Sequence, residues 1–299
     1  MSPEIFWATV GGMGLTGIIG EVTLKLIPIE TSQMMVNHHA AKNLVHLFQL
    51  LQDPALDDRY SVAWIDCLAS GDQLGRGIAM FGHHASAAEY ASSNPLAGKS
   101  RRTRSLPFNF PAWVLNPLSI SLFNKLYYYK EANKRSPFLC DYDSYFYPLD
   151  AIGHWNRMYG KRGFVQYQCV IPEKTALEGI SALLNELSGS RRSSFLAVLK
   201  RFGAEGKGIL SFPMPGYTLA LDLPIRDKGL FSLLDKLDNI VLQHGGRVYL
   251  AKDARVSDDS FKTMYPRYEE WLKIKNKIDP AQRFSSSLSR RLNITGSAK

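Results

Sequence analysis

The sequence predicts an α+β fold, an antiparallel sheet with flanking helices. Three observations carry that reading. Stretches of strict apolar–polar alternation are mixed with stretches of helical period, but not in the βαβα order of a doubly wound sheet. Each alternating stretch gathers its apolar residues on one face, as half-buried strands do. The 299 residues, 45% of them hydrophobic, can bury a substantial core as one large or two smaller domains.

The elements follow in order. Gly12, Gly14 and Gly17 match G-x-G-x-x-G, and after them Val22, Leu24 and Leu26 alternate with Thr23 and Lys25 as a strand would. A dinucleotide loop needs a strand before it and a helix after it, so a loop feeding a strand aims no helix N-terminus at a pyrophosphate. Two readings stay open: a tight structural turn, or bare backbone brought close to a flat ligand. Residues 31–40 read as a strand, and 41–52 as a helix with Leu44, Leu47, Phe48 and Leu51 inward. Strands follow at 59–68 and 76–81, then a Pro-rich basic loop at 95–117. Residues 117–129 suit a helix with Leu118, Leu122 and Leu126 on one face. A short helix at 151–159 precedes a strand at 164–171, ended by Pro172, and a helix at 174–187. Strands at 194–202 and 217–225 lead to a helix at 228–244, stopped at Gly245-Gly246. A strand at 247–251 and helices at 261–278 and 284–292 close the chain.

Three of these strands share a pattern. Gln166 and Gln168 lie on one face, as do Lys200 and Phe202, and as do Thr218, Ala220 and Asp222. In one sheet, these residues form a polar face behind an apolar one. Two glutamines and a lysine suit a sugar or phosphate, although pattern alone favours a solvent-washed face, which antiparallel sheets commonly have. Tyr249 and Lys252 end the 247–251 strand, where a lysine can stabilise negative charge on an anionic ring system.

Charge and composition narrow the classes. The net charge is +9, and residues 99–135 hold eight Lys and Arg against Glu131 alone, interleaved with aromatic and aliphatic side chains. That stretch suits an anionic membrane surface, single-stranded nucleic acid, or a solvated insertion. Cys67, Cys140 and Cys169 are scattered and odd in number, so neither a disulfide framework nor a metal site is expected. His38-His39 and His83-His84 read as surface or loop histidines. No apolar run spans a bilayer, and no signal peptide is expected.

Eight stretches together resemble one family: FWATVGGMGLTGII at 6–19, AWIDCL at 63–68, YPLDAIGHWNRMYG at 147–160, GFVQYQCVIP at 163–172, LKRFG at 199–203, LSFPMPGY at 210–217, GGRVYLAKDAR at 245–255 and MYPRYEEWLKIKNKIDPAQRFSSSLSRRL at 264–292. The chain is similar to the C-terminal two thirds of the decaprenylphosphoryl-β-D-ribose 2′-oxidase family, flavoenzymes of the vanillyl-alcohol-oxidase type. The resemblance implies FAD as cofactor. It places the end of a first FAD-domain segment at 1–30, a sheet-based substrate domain at 31–246 and a returning FAD-domain segment at 247–299. It assigns Gly14, Gly17, Ile18, Ala251 and Lys252 to the flavin, and Lys252 and Tyr249 to catalysis. Trp64, Gln166, Gln168, Lys200, Phe202, Thr218 and Ala220 match substrate-pocket positions, which favours the polar face as a site.

The resemblance also implies a reaction. The 2-hydroxyl of a polyprenyl-phosphate-linked ribose is oxidised to a 2-keto sugar. A short-chain NAD(P)-dependent reductase then completes epimerisation to the arabinose form used in cell-wall arabinan. The protein would be peripherally membrane-associated through 99–135, cytoplasmic or periplasmic, with no nucleic-acid partner. Tyr249 and Asp222 are the candidate bases. Thr218 and Ala220 stand where well-known members carry an asparagine and a reactive cysteine, so inhibitors that form an adduct there lose their anchor. Phe146 and Tyr147 compete for a pocket-tyrosine position. Against the family pattern, the chain starts just before the last glycine loop. A fragment, a misplaced start and a two-gene arrangement all fit, and other readings are an oxidase of another sugar or alditol and a non-catalytic remnant.

Overall fold

Tyr167, Cys169 and Ile171 alternate with Gln166, Gln168 and Val170, and this stretch pairs along its whole length with the equally regular 216–224 strand. That pair forms part of an eight-stranded antiparallel sheet in the computed structural model, which describes residues 2–56, 58–98, 103–111, 113–192, 194 and 196–295. The chain runs α1 (Pro3–Thr9), β1 (Gln33–Ala41), α2 (Leu44–Gln52), β2 (Tyr60–Ile65), β3 (Gly77–His84) and β4 (Arg104–Ser105). It continues through α3 (Pro117–Ala132), β5 (Phe138–Asp141), α4 (Tyr142–Phe146), β6 (Ile152–Gly153), β7 (Phe164–Pro172), α5 (Ala176–Ser190), β8 (Ala197–Phe202) and β9 (Gly216–Pro224). Last come α6 (Gly229–Gln243), β10 (Arg247–Val248), α7 (Asp258–Met264), α8 (Tyr268–Ile278) and α9 (Ser287–Arg291). The sheet order is β10-β7-β9-β8-β2-β3-β1-β5, and β4 pairs with β6 in a separate ribbon.

One face of the sheet is apolar because each strand turns its hydrophobic set the same way. Helices α2, α5 and α6 cover it. Leu44, Leu47, Phe48 and Leu51 of α2 are buried there, and Phe48 stacks on Tyr217 at 4.2 Å. Gly245 takes a left-handed turn at φ +69° and stops α6, as the glycine pair predicts. The α+β class is as expected.

The other face is covered at one end by α3, which packs on β1 and β3. Its cap is built locally: Asn116 accepts from the Ser119 backbone N–H while Ser119 Oγ accepts from Asn116 N–H. The helix is where the sequence puts it, but it is turned over. Its buried residues are Ile120, Asn124 and Glu131, while Leu118, Leu122 and Leu126 face outward, Leu118 being 83% exposed. The buried polar residues have partners in the sheet. Asn124 Nδ2 donates to Asp66 at 2.7 Å, Asp66 pairs with Arg76 at 2.6 Å, and Glu131 lies 3.2 Å from His38. Tyr127 packs edge-on against Trp64 at 4.7 Å.

Several expectations need correction. Val22, Leu24 and Leu26 form no strand; a strand exists by pairing, and Leu26 is 81% exposed with no ladder partner among the described residues. The 247–251 strand is cut to two residues, after which Leu250–Lys252 turns as a 3-10 helix. The 151–159 helix is a 3-10 turn at Trp155–Tyr159. The 261–278 helix is broken at Tyr265-Pro266 into α7 and α8, since proline lacks the N–H that the ladder needs. The histidine pairs are not in loops: they lie in β1 and β3, and the His38 side chain is buried. Strand β5 has no counterpart in the alternation read from sequence.

The first and last segments meet. Trp271 Nε1 in α8 donates to the Ala8 carbonyl in α1 at 2.8 Å. The glycine loop leans on 208–211, where Ile209 N–H donates to the Trp7 carbonyl at 3.3 Å. A Cβ on Gly11 would meet Ser211 within 3 Å, so this approach requires glycine.

Candidate functional site

Cross-strand pairing fixes which side chains share the polar face. Trp64 pairs with Val198, Val198 with Ala220, and Ala220 with Gln168, so these four lie side by side on β2, β8, β9 and β7. One step along the strands, Gln166 pairs with Asp222, and one step the other way Lys200 pairs with Thr218. The predicted face therefore exists, with Cys169 on the opposite, core side.

Its polar groups are paired and pre-set. Gln166 Nε2 donates to Asp222 Oδ1 at 3.0 Å, and Gln168 Nε2 donates to Thr218 Oγ1 at 3.0 Å. The Tyr159 hydroxyl lies close enough to the Asp222 carboxylate for each to shift the other's proton affinity. Burial pushes the Asp222 carboxyl above the ordinary range, opposed by the Gln166 amide, the Lys252 charge and the Tyr159 hydroxyl. Burial pulls the Lys252 ammonium below its ordinary value; Asp222 opposes that and Lys200 reinforces it. Asp222, Lys252 and Lys200 thus act on one another across the β9 end of the face. The arrangement can accept a proton at Asp222 and hold negative charge beside Lys252.

The remaining predicted residues divide. The backbone N–H of Tyr249 donates to the Gln168 carbonyl at 2.8 Å, which ties the tail segment to β7. The Tyr249 ring stacks on Phe212 at 4.6 Å, and Phe212 meets Phe202 edge-on at 5.9 Å. Ala251 is exposed beside the half-buried Lys252. Trp64 is only 5% exposed beneath Tyr127, so it forms a wall. Gly14 and Gly17 have open space where a Cβ would stand, and Ile18 is 89% exposed. Among the described residues no hydrogen bond ties these three to Tyr249 or Lys252. Of the competing aromatics, Phe146 packs on Tyr60 at 4.9 Å, and Tyr147 is more exposed. Sequence reading missed Tyr159 and Phe212. Both lie outside regular strands, where period-two alternation has no force, although each falls within a quoted motif.

These residues fit a flavin. Open glycine backbone suits a flat ring system, and a half-buried lysine suits an anion on it.

A family model described as D-arabinono-1,4-lactone oxidase matches residues 228–292. The chain is 36% identical over 295 residues to decaprenylphosphoryl-β-D-ribose oxidase of Mycolicibacterium smegmatis, covering 97% of this chain and 64% of that protein. It is 32% identical over 300 residues to an uncharacterized protein in the mprA 5′ region of Streptomyces coelicolor, covering 97% of this chain and 81% of that one. Over nearly its whole length the chain is thus similar to a decaprenylphosphoryl-β-D-ribose oxidase, and it spans just under two thirds of the length of that M. smegmatis protein. Its fold is shared with xylooligosaccharide oxidase from Myceliophthora thermophila C1, with a TM-score of 0.60 at 14% identity, over 96% of this chain and 61% of that one.

Proposed function

We propose that this chain carries the substrate face of an FAD-dependent oxidase that converts the 2-hydroxyl of a polyprenyl-phosphoryl-ribose into a 2-keto sugar. The observation that carries the reading is the linked group Tyr159, Gln166, Asp222 and Lys252 on the open end of the sheet. When bound, FAD supplies the hydride acceptor. Asp222, with its carboxyl raised by burial, takes the hydroxyl proton; Tyr249, stacked on Phe212, serves as platform more than base. Lys252 holds developing negative charge, and Gln166, Gln168 and Lys200 orient the sugar and its phosphate. Ala220 offers no nucleophile, so a cysteine-directed covalent inhibitor acts here at most reversibly.

Residues 1–30 and 247–299 belong to the flavin side and 31–246 to the substrate side in this reading; the α1–α8 contact supports joining the two outer segments. The outward Leu118, Leu122 and Leu126, with exposed Lys125 and Lys130, support membrane contact through the 99–135 stretch, of which 99–102 and 112 lie outside the described residues. No helix among the described residues is long and apolar enough to cross a membrane. A short-chain reductase consuming the 2-keto product, and supply of arabinan precursors, complete the proposal.

A second reading has its own observation. Among the described residues no hydrogen bond ties the glycine loop to Tyr249 or Lys252, which favours a chain that folds but holds FAD weakly unaided. The deciding experiment is the visible spectrum of the purified chain after incubation with FAD and desalting. Retained flavin absorbance supports the oxidase; a folded, colourless protein supports a substrate domain alone.

A further inference from the structure

A cavity of about 480 Å³ opens where residues 109–111 and 115 meet residues 158–162 and 224–226. The chain builds it firmly. Phe110 N–H donates to the Arg157 carbonyl at 2.8 Å, Arg157 Nη1 donates to the Pro107 carbonyl at 3.1 Å, and Ile225 N–H donates to the Gly163 carbonyl at 3.1 Å. Phe110, Leu115, Met158 and Ile225 give the cavity hydrocarbon walls. Lys161, Arg162 and Arg226 give it three cations, and no carboxylate lines it among the described residues.

Arg226 is the informative member. Its Nη2 is shielded from solvent and has no hydrogen-bond acceptor. The neighbouring acid, Asp227, is engaged by Arg192 at 2.5 Å. A guanidinium in that position is complemented by an anion with several acceptor oxygens. Tyr159 connects this place to the site already described, because it lines the cavity and its hydroxyl reaches Asp222. In the other direction, Leu115 leads directly into α3, whose Leu118, Leu122 and Leu126 face outward.

We propose that this cavity is a subsite for a phosphate esterified to an apolar chain, with the phosphate on Arg226, Arg162 and Lys161. The first units of the chain lie along Phe110 and Leu115 and leave over the outward face of α3. A sugar on the same phosphate then extends past Tyr159 to Asp222. The assignment rests on the lipid-phosphate-sugar reading above and adds where the phosphate and chain are held.

The test is titration calorimetry of the purified chain with farnesyl phosphate, farnesol and inorganic phosphate. Farnesyl phosphate should bind at least tenfold more tightly than either of the others. Arg226→Gln should weaken it tenfold or more without altering farnesol binding. Lys161→Glu, on an exposed side chain, should weaken it too and covers the case in which Arg226→Gln lowers the Tm. Unchanged affinity in both variants overturns the subsite but leaves the lipid-phosphate substrate standing. Inorganic phosphate matching farnesyl phosphate overturns the amphiphile. No binding of farnesyl phosphate by the unaltered chain overturns the subsite and the polyprenyl-phosphate substrate together, leaving an oxidase of another sugar.

Discussion

At the β1–β3–β2 end of the sheet the polar face lies under α3; at the β8–β9–β7 end Gln166, Gln168 and Ala220 stay half-buried and Lys200 is exposed. Both ends place charged and amide groups on the same surface. At the covered end, Asp66 meets both Arg76 and Asn124 beneath the helix, away from solvent. At the open end, burial disfavours the charged forms of Asp222 and Lys252, and each opposes that shift in the other. A polar face therefore serves the fold where a helix brings polar partners down onto it, and serves chemistry where a substrate can supply them.

Breaking the covered end should cost the most stability. Asp66→Ala leaves the buried Arg76 guanidinium without its carboxylate, with the Gln73 amide oxygen as a neutral acceptor, and should destabilise by about 3–5 kcal/mol in urea unfolding. A loss below about 1 kcal/mol would mean that water reaches this end as well. At the open end, Lys252→Ala in the FAD-loaded protein should lower turnover by about 100-fold or more, with folded yield unchanged. Turnover equal to that of the unaltered protein would remove Lys252 from the chemistry.

The two ends also differ in pH response. Burial, aided by Lys134 and opposed by Glu131, lowers the His38 pKa to about 4. The folded protein keeps His38 neutral while the unfolded chain protonates it near pH 6.5, so this contribution is full above about pH 6.5 and is lost as pH falls toward about 4. Chemical unfolding across that range should show a decline of about 2–3 kcal/mol that His38→Gln removes. Alanine at both Gln166 and Gln168 should have a smaller effect. It should raise the half-saturating substrate concentration about tenfold, with stability changed by about 1 kcal/mol or less. An unchanged half-saturating concentration would show that the sugar lies elsewhere.

The open end was the legible part of this molecule. Period-two alternation assigns Gln166, Gln168, Thr218 and Asp222 to one face, and pairing in the sheet leaves them there. The eight motifs pointed from the same stretches to the M. smegmatis oxidase to which the chain is 36% identical. The orientation of α3 was not legible, because periodicity marks Leu118, Leu122 and Leu126 as a face but not which way it points. Asp66, Arg76 and His38 decide that by drawing Asn124 and Glu131 inward. The 22–26 stretch misleads for a related reason. Alternation states a capacity to pair, and pairing requires a neighbour that the local sequence does not name.

That same stretch has a consequence for handling the protein. An extended run with its backbone unbonded matches the conformation in which proteases take their substrates, and Lys25 stands exposed within it. Brief trypsin treatment should cut there first. The two pieces should separate on a denaturing gel yet elute together under native conditions, because α1 stays fastened to α8 through Trp271 and to 208–211 through Trp7.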